Sequence, residues 1–100
     1  MTFKTAKQSN GEYIGDTNLF GKAKGEGTLY FSNGDNVSSS FWVNGEINGS
    51  ATYCFDNGDD YHGQFVNGVP HGPGRFFGRD GSEIVMEFVN GRKVSERRVK

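Results

Sequence analysis

The sequence predicts an all-β fold: an elongated, single-layer antiparallel β-meander built from about four hairpin units. Asn-Gly and Asp-Gly pairs, which favour type I′ turns with positive φ at both central residues, recur along the chain in two interleaved series. The first series is Asn10-Gly11, Asn33-Gly34, Asn57-Gly58 and Asp80-Gly81, and the second is Asn44-Gly45, Asn67-Gly68 and Asn90-Gly91, with Gly21 at the matching earlier place. A turn at both ends of every strand indicates one repeated hairpin.

Composition favours short strands over helices. The 100 residues include 16 glycines, nine phenylalanines and only two prolines. No segment before Gly91 shows the apolar period of about 3.6 residues that marks a helix, so we expect none there. The predicted strands centre on Tyr13, Leu29, Val37–Val43, Ala51–Phe55, Tyr61–Val66, Gly74–Phe77 and Ile84–Val89, after a degenerate first strand at residues 3–9.

Equivalent positions recur from unit to unit. An aromatic residue followed by Val-Asn-Gly recurs in three of the units, at residues 42–45, 65–68 and 88–91. The first two units carry one extra residue, around Asp16–Phe20 and Ser38–Phe41. An extra residue in one strand of a pair forms a bulge, so we expect β-bulges in both places.

Alternation of side chains predicts one aromatic face. Tyr61 and Phe65 share a face, and His62 and Gln64 share the other. A return-strand glycine such as Gly74 leaves room for neighbouring rings. Aromatic pairs across strands contribute on the order of 0.2–1 kcal/mol each, so the rings should stabilise the sheet. The predicted ladder of rings is Tyr13, Trp42, Tyr53, Tyr61, Phe65, Phe76 and Phe88.

The segment from Tyr61 to Gly74 resembles the MORN (membrane occupation and recognition nexus) repeat, whose pattern is roughly Y-x-G-x-W/F-x-x-G-x-x-x-G-x-G. The resemblance extends from Asn10 to Gly91, and its weakest copy is the last, which has Ile84 in place of the tyrosine. The resemblance implies an array of β-hairpins. It also implies a role in cytoskeletal scaffolds and self-association, and phospholipid binding is attributed to several MORN proteins.

Charge divides the chain into an array at residues 1–91 and a basic cap strand or tail at residues 92–100. Residues 8–91 hold four basic and eleven acidic residues, whereas the tail holds five basic residues and one glutamate. Aligned with the third copy, the tail places Val99 where Phe76 stands. One interpretation is a charged last strand that blocks edge-to-edge pairing. The other is a basic patch for phosphate groups or an acidic protein, formed by Arg92, Lys93, Arg97, Arg98 and Lys100.

Motifs for catalysis or metal binding are weak. Gly21–Gly27 contains lysines but lacks the Gly-Lys-Ser/Thr ending of a phosphate-binding P-loop. Asp56–Asp60 lacks the spacing of a calcium loop. Two histidines and one cysteine are too few and too unpatterned for a zinc site, and Ser38–Ser40 has no histidine partner identifiable from the sequence. We therefore predict no catalytic residue, no metal and no cofactor, and expect that the protein is not an enzyme.

Other features restrict the partner and the location. No run approaches 18 apolar residues, the first residues lack an apolar signal core, and Cys54 is the single cysteine. These features favour a cytoplasmic setting. The acidic body disfavours nucleic acid, and the tail has no aromatic residue for base stacking.

The function that the sequence favours is a non-catalytic protein–protein interaction or scaffold module that presents its aromatic face to a partner. A single-layer sheet leaves apolar area that soluble monomers rarely expose, so we expect either another copy or a different protein to cover it. The alternative is a peripheral phospholipid-binding module that uses the basic tail at an anionic membrane surface. An enzyme would need a site that the sequence does not show.

Overall fold

The computed structural model describes residues 2–100 and contains a single antiparallel sheet of nine strands. The strands are β1 (Glu12–Thr17), β2 (Ala23–Tyr30), β3 (Asn36–Val43), β4 (Glu46–Ile47), β5 (Gly49–Cys54), β6 (Asp60–Val66), β7 (Val69–Phe77), β8 (Glu83–Val89) and β9 (Arg92–Arg98). Their spatial order is β1-β2-β3-β5-β6-β7-β8-β9, and the short β4 pairs with β3. With extents of 44 × 24 × 17 Å, the fold is the predicted elongated meander.

The second Asx-Gly series forms the predicted turns. Asn44, Asn67 and Asn90 have φ between 47° and 51°, and each following glycine also has positive φ, as a type I′ turn requires. These two-residue turns are the shortest hairpin connections of the sheet.

The first series forms a different turn from the one predicted. In the loop after β2, Gly34 has a φ of 94° but Asn33 does not have positive φ. Phe31 N donates to Asp35 O at 3.0 Å, and Gly34 N donates to Phe31 O at 3.2 Å, which closes a three-residue loop with glycine in the left-handed position. The Asn33 side chain accepts from Asp35 N at 3.0 Å and stabilises this turn. The pair Asn10-Gly11 forms neither turn, since Gly11 is extended.

The extra residues of the first two units are accommodated in different ways. Between β2 and β3, Gly27 faces Ser39 but Gly25 faces Trp42, so the bulge predicted at Ser38–Phe41 is confirmed. Between β1 and β2 the register shifts at Gly15–Thr17, but the additional residues there are in β2, since Asp16 alone lies opposite residues 24–26. The extra residue of the first unit lengthens the loop after β1, where Asn18 N donates to Lys22 O at 2.9 Å, in place of the bulge predicted around Asp16–Phe20. Two further shifts, in the β6–β7 and β8–β9 ladders, were not predicted.

Residues 3–9 do not form the degenerate strand expected from the sequence. Lys7 makes an isolated bridge with Glu46, and Gln8–Asn10 form a single 3-10 turn. Ala6 N donates to Gly68 O at 2.7 Å, so this segment is tied to the turn that follows β6.

Phe3 places this segment over the aromatic face of the sheet. Its ring lies with centroid distances of 5.0–6.4 Å from the rings of Tyr53, Phe55, Tyr61, Phe65 and Phe88. Four of these contacts are edge-to-face, a favourable geometry for aromatic pairs. The segment therefore completes the core that the sheet alone would leave open.

The core occupies the face predicted from side-chain alternation. Tyr61 and Phe65 are buried, whereas His62 and Gln64 are exposed on the opposite face. Trp42 shares the buried face, and its Nε1 donates to Gly27 O at 3.0 Å. Five of the seven rings of the predicted ladder thus belong to the buried core, and the other two, Tyr13 and Phe76, pack against it.

The last strand aligns one residue away from the predicted position. Arg98 faces Ile84, just as Phe76 of the third unit faces Tyr61. Arg98, and not Val99, therefore takes the place of Phe76. The reason is that the bulge in the β8–β9 ladder differs in length from the irregularity in the β6–β7 ladder, which sequence comparison alone does not reveal.

The two buried tyrosines should respond differently to loss of their hydroxyl groups. Tyr53 Oη donates to Asp35 Oδ2 at 2.7 Å and accepts from Lys4 N at 3.0 Å, whereas Tyr61 Oη has no hydrogen-bond partner among the described residues. We expect Tyr53→Phe to lower the free energy of unfolding by about 1–3 kcal/mol and Tyr61→Phe to leave it unchanged or raise it. Urea unfolding of both variants at pH 7 tests this, and an equal loss in both would contradict it.

The buried phenol of Tyr61 also predicts that the stability of the protein depends on pH. Burial raises the pKa of the Tyr61 phenol to about 12, with the charge of Glu87 as a second cause. A raised pKa in the folded state means that the stability is intact below the unfolded pKa of about 10 and falls as the pH rises towards 12. Tyr61→Phe should therefore lose less stability than the parent between those pH values.

Candidate functional site

The aromatic face is packed within the protein. Of the seven rings predicted to contact a partner, those of Trp42, Tyr53, Tyr61, Phe65 and Phe88 are at most 3% exposed. The remaining two, Tyr13 and Phe76, are half-buried. Residues 3–6 lie over part of this face, so a partner would have to displace them to reach most of the rings. Partner contact through the seven rings stays a prediction.

The opposite side of the sheet, the outer face, carries an open groove with a volume of about 900 Å³. A line of six side chains that face one another across consecutive strands runs along it at right angles to the strands. We call this line the central row, and its members are Thr28, Ser38, Thr52, His62, Arg75 and Val85.

Cross-strand pairing orders the polar part of the central row. Thr28 Oγ1 and Ser38 Oγ are 2.9 Å apart, and Thr52 Oγ1 lies 3.0 Å from His62 Nδ1. Each hydroxyl can make more than one hydrogen bond, so these pairs keep capacity for a further donor or acceptor. The row is therefore a fixed line of hydrogen-bonding groups across the sheet.

The bulge in β3 supplies an apolar wall for the groove. Ser39 Oγ donates to Ser50 O at 2.7 Å and accepts from Phe41 N at 2.9 Å, which holds the bulged backbone. The bulge brings Phe41 to the outer face, where its side chain is 50% exposed beside Gly49. The groove thus combines hydroxyl groups with an aromatic surface.

The two ends of the groove differ in charge. Glu26 lies at the β2 end, and Arg75 lies towards the β8 end, where it forms an ion pair with Glu83. Near that end the ring of His62 contacts the ring of Phe77 edge-on, with centroids 5.3 Å apart. Glu26 has no ion-pair partner among residues 2–100, whereas the charge of Arg75 is already paired with Glu83.

The side-chain chemistry suits binding. Burial raises the pKa of the Cys54 thiol, and Asp60 raises it further, so the reactive thiolate is disfavoured. The hydroxyl of Ser39 is committed to the bulge. Within residues 2–100 no cluster of three or more His, Cys, Asp or Glu side chains is arranged to hold a metal ion.

The structure separates the residues of the weaker sequence motifs. His71 Nδ1 accepts from Asn90 N at 3.0 Å, away from the central row that contains His62. Asp56–Asp60 form a hairpin turn, and Gly21–Gly27 run from a turn into β2. These segments are parts of the repeat, as their weak match to ligand-binding motifs indicated.

The basic residues of the last strand lie on both sides of the sheet. Pairing with β8 places Arg92 and Arg97 on the outer face and Lys93 and Arg98 on the aromatic face. Lys93 also forms an ion pair with a neighbouring glutamate, and Lys100 follows the strand. Phosphate or lipid binding by these five residues stays a prediction.

Sequence reasoning assigned His62 and Gln64 to the outer face but gave that face no role. The available signal was the recurrence of Ser and Thr at outward positions of β2, β3 and β5, represented by Thr28, Ser38 and Thr52. It was weak because hydroxyl side chains are ordinary on an exposed sheet face.

Comparison with known proteins supports the presence of MORN repeats. The MORN repeat family model matches residues 19–36, 39–60 and 61–83, which is more than half of the chain. Comparison with curated proteins gives no significant match.

In residues 2–100 no helix has the length and apolar character needed to cross a membrane. MORN repeats are generally associated with protein or membrane-lipid interaction, and proteins built from them are typically non-enzymatic modules. Three consecutive matches on one continuous hairpin sheet show that this chain belongs to the MORN repeat family.

Proposed function

We propose that this chain is a non-catalytic protein-interaction module that binds an extended segment of a partner protein in its outer-face groove. The observation that supports this most is the central row, which crosses six strands without interruption. Strands lie about 4.8 Å apart, so five spacings span about 24 Å, the length of about seven extended residues. The groove thus has the dimensions of a short linear peptide.

The lining favours a peptide of mixed character. Hydroxyl and imidazole groups of the central row pair with the backbone of an extended chain, while Phe41 and Val85 contact apolar side chains. Glu26 favours a basic residue at one end of the peptide. This charge sets the direction in which the segment lies.

The filled aromatic face supports the same function. Because Phe3 and its neighbours pack the rings, the sheet is a rigid platform before the partner arrives. Binding to a preformed surface avoids much of the ordering cost of association.

Selection from a library of random displayed peptides tests the proposal. We expect enriched peptides of the charge pattern above, binding with micromolar affinity. Thr52→Arg, at the centre of the row, fills the groove and should weaken their binding by about tenfold or more, a cost of at least about 1.4 kcal/mol. Ser32→Arg adds the same side chain in an exposed turn and should leave binding unchanged.

Two outcomes would count against the groove. One is a selection that enriches no peptide, and the other is a set of peptides that bind the parent and Thr52→Arg equally well. Flotation with anionic vesicles that Thr52→Arg retains and Arg97→Glu loses would instead favour the phospholipid alternative.

A further inference from the structure

Both edges of the sheet are open. β1 and β9 are the outermost strands, and each has a strand neighbour on one side only. All seven residues of β9 are exposed, as are five of the six residues of β1. An edge strand presents unpaired N–H and C=O groups that can pair with another strand.

The two edges carry opposite charges. β1 contains Glu12 and Asp16 and no basic residue, and neither acid has an ion-pair partner among residues 2–100. β9 contains four basic residues and one acid, and Lys93 is the only one of those four in an ion pair within the same range. Pairing of two β1 edges or two β9 edges would oppose like charges, whereas β9 against β1 brings opposite charges together.

The strand order fits this pairing. Within the chain, every return strand of a hairpin is followed by the outgoing strand of the next, as in β2–β3, β5–β6 and β7–β8. β9 is a return strand, and β1 is an outgoing strand. The β1 strand of a second copy, placed beside β9, therefore continues the antiparallel alternation.

The repeat also fixes the register. In the β7–β8 ladder, Arg75 faces Val85. Each residue of this pair has an equivalent at an open edge. Arg97 of β9 corresponds to Arg75 and faces Val85 from the other side. Ile14 of β1 takes the position of Val85 in the first unit. The same register therefore places Arg97 opposite Ile14 of the second copy.

In this register the charges meet. Glu12 and, by alternation, Asp16 flank Ile14 on the outer face. Diagonal neighbours across a strand pair lie about 7–8 Å apart, within reach of a long side chain. Arg97 would thus lie between two carboxylates of the second copy, and its aliphatic stem would cover the exposed Ile14 side chain.

We propose that copies of this chain associate head to tail, with β9 of one copy pairing with β1 of the next to form one continuous sheet. The two contacting surfaces differ, so the contact is heterologous and builds open chains of copies. It leaves the outer-face groove of each copy free, and it does not depend on peptide binding there.

Sedimentation at rising protein concentration and low salt tests the proposal. The parent should show a mass that grows beyond a dimer and falls in high salt, which screens exposed charges. Arg97→Glu should weaken association by about tenfold, because it reverses the charge that faces both acids. Lys24→Glu makes the same change within the sheet and should associate as the parent does.

Mixing complementary variants supplies the decisive readout. Glu12→Arg/Asp16→Arg alone should associate as weakly as Arg97→Glu alone. An equimolar mixture of the two should associate as the parent does, because every junction between unlike variants again joins opposite charges. A parent that stays monomeric at millimolar concentration, or a mixture that stays as weak as its components, would overturn the proposal.

Discussion

Phe65→Ala is expected to lower the free energy of unfolding by about 3–5 kcal/mol, the usual cost of removing a buried ring. The Phe65 side chain is 1% exposed and lies edge-on to Phe3 and Tyr61, with centroids 6.4 Å away in each case. Its removal leaves a cavity between the sheet and the segment that covers it. Urea unfolding followed by circular dichroism measures the change.

Phe20→Ala is the matched control for this prediction. The Phe20 side chain lies in the loop after β1 and is 86% exposed, so its loss should change the free energy of unfolding by no more than about 0.5 kcal/mol. If Phe65→Ala unfolded together with the parent, the buried ring would not be part of the stabilising core.

Gly74→Ala is expected to cost about 3 kcal/mol, at the upper end of the range for overpacking. A Cβ atom at Gly74 would lie 1.9 Å from Tyr61 Oη and 2.3 Å from Tyr61 Cζ. Gly74 is in the middle of β7 and does not have positive φ, so the expected loss comes from the clash with the ring and not from backbone strain. Chemical unfolding measures this loss.

A double-mutant cycle identifies the cause. If the ring of Tyr61 is what excludes a side chain at position 74, Gly74→Ala should cost much less in a Tyr61→Ala background than in the parent. An equal cost in both backgrounds would place the strain elsewhere. Arg75→Ala, the next residue on the opposite face, should change stability by less than about 1 kcal/mol.

The sequence predicted the sheet because its signals are local. Alternation placed Tyr61 and Phe65 on one face, and each Asn-Gly pair of the second series fixed a turn through two positive φ values. The first series contains the same dipeptides, but there the hydrogen bonds around Asn33 select a three-residue loop. The Asn-Gly dipeptide therefore predicts reliably where a turn forms, but it predicts the type of turn less reliably.

Long-range contacts explain what the sequence did not predict. Nothing periodic marks residues 3–6, and their position depends on Phe3 reaching rings from three strands. The single-layer sheet therefore left less apolar surface open than expected. The outer-face groove was not predicted because it depends on the bulge that brings Phe41 to that face. The register of Arg98 likewise depends on bulge lengths that only the structure defines.

The central claim is that a partner binds the outer face while residues 3–6 keep the aromatic face closed. Nuclear magnetic resonance of the labelled protein, titrated with a selected peptide, tests it directly. We predict amide shifts concentrated at Ser38, Thr52 and His62, with the side-chain signals of Phe3 and Phe88 unchanged. Shifts centred on Phe3 and Phe88, with release of residues 3–6, would contradict this account and would place the binding surface on the aromatic face.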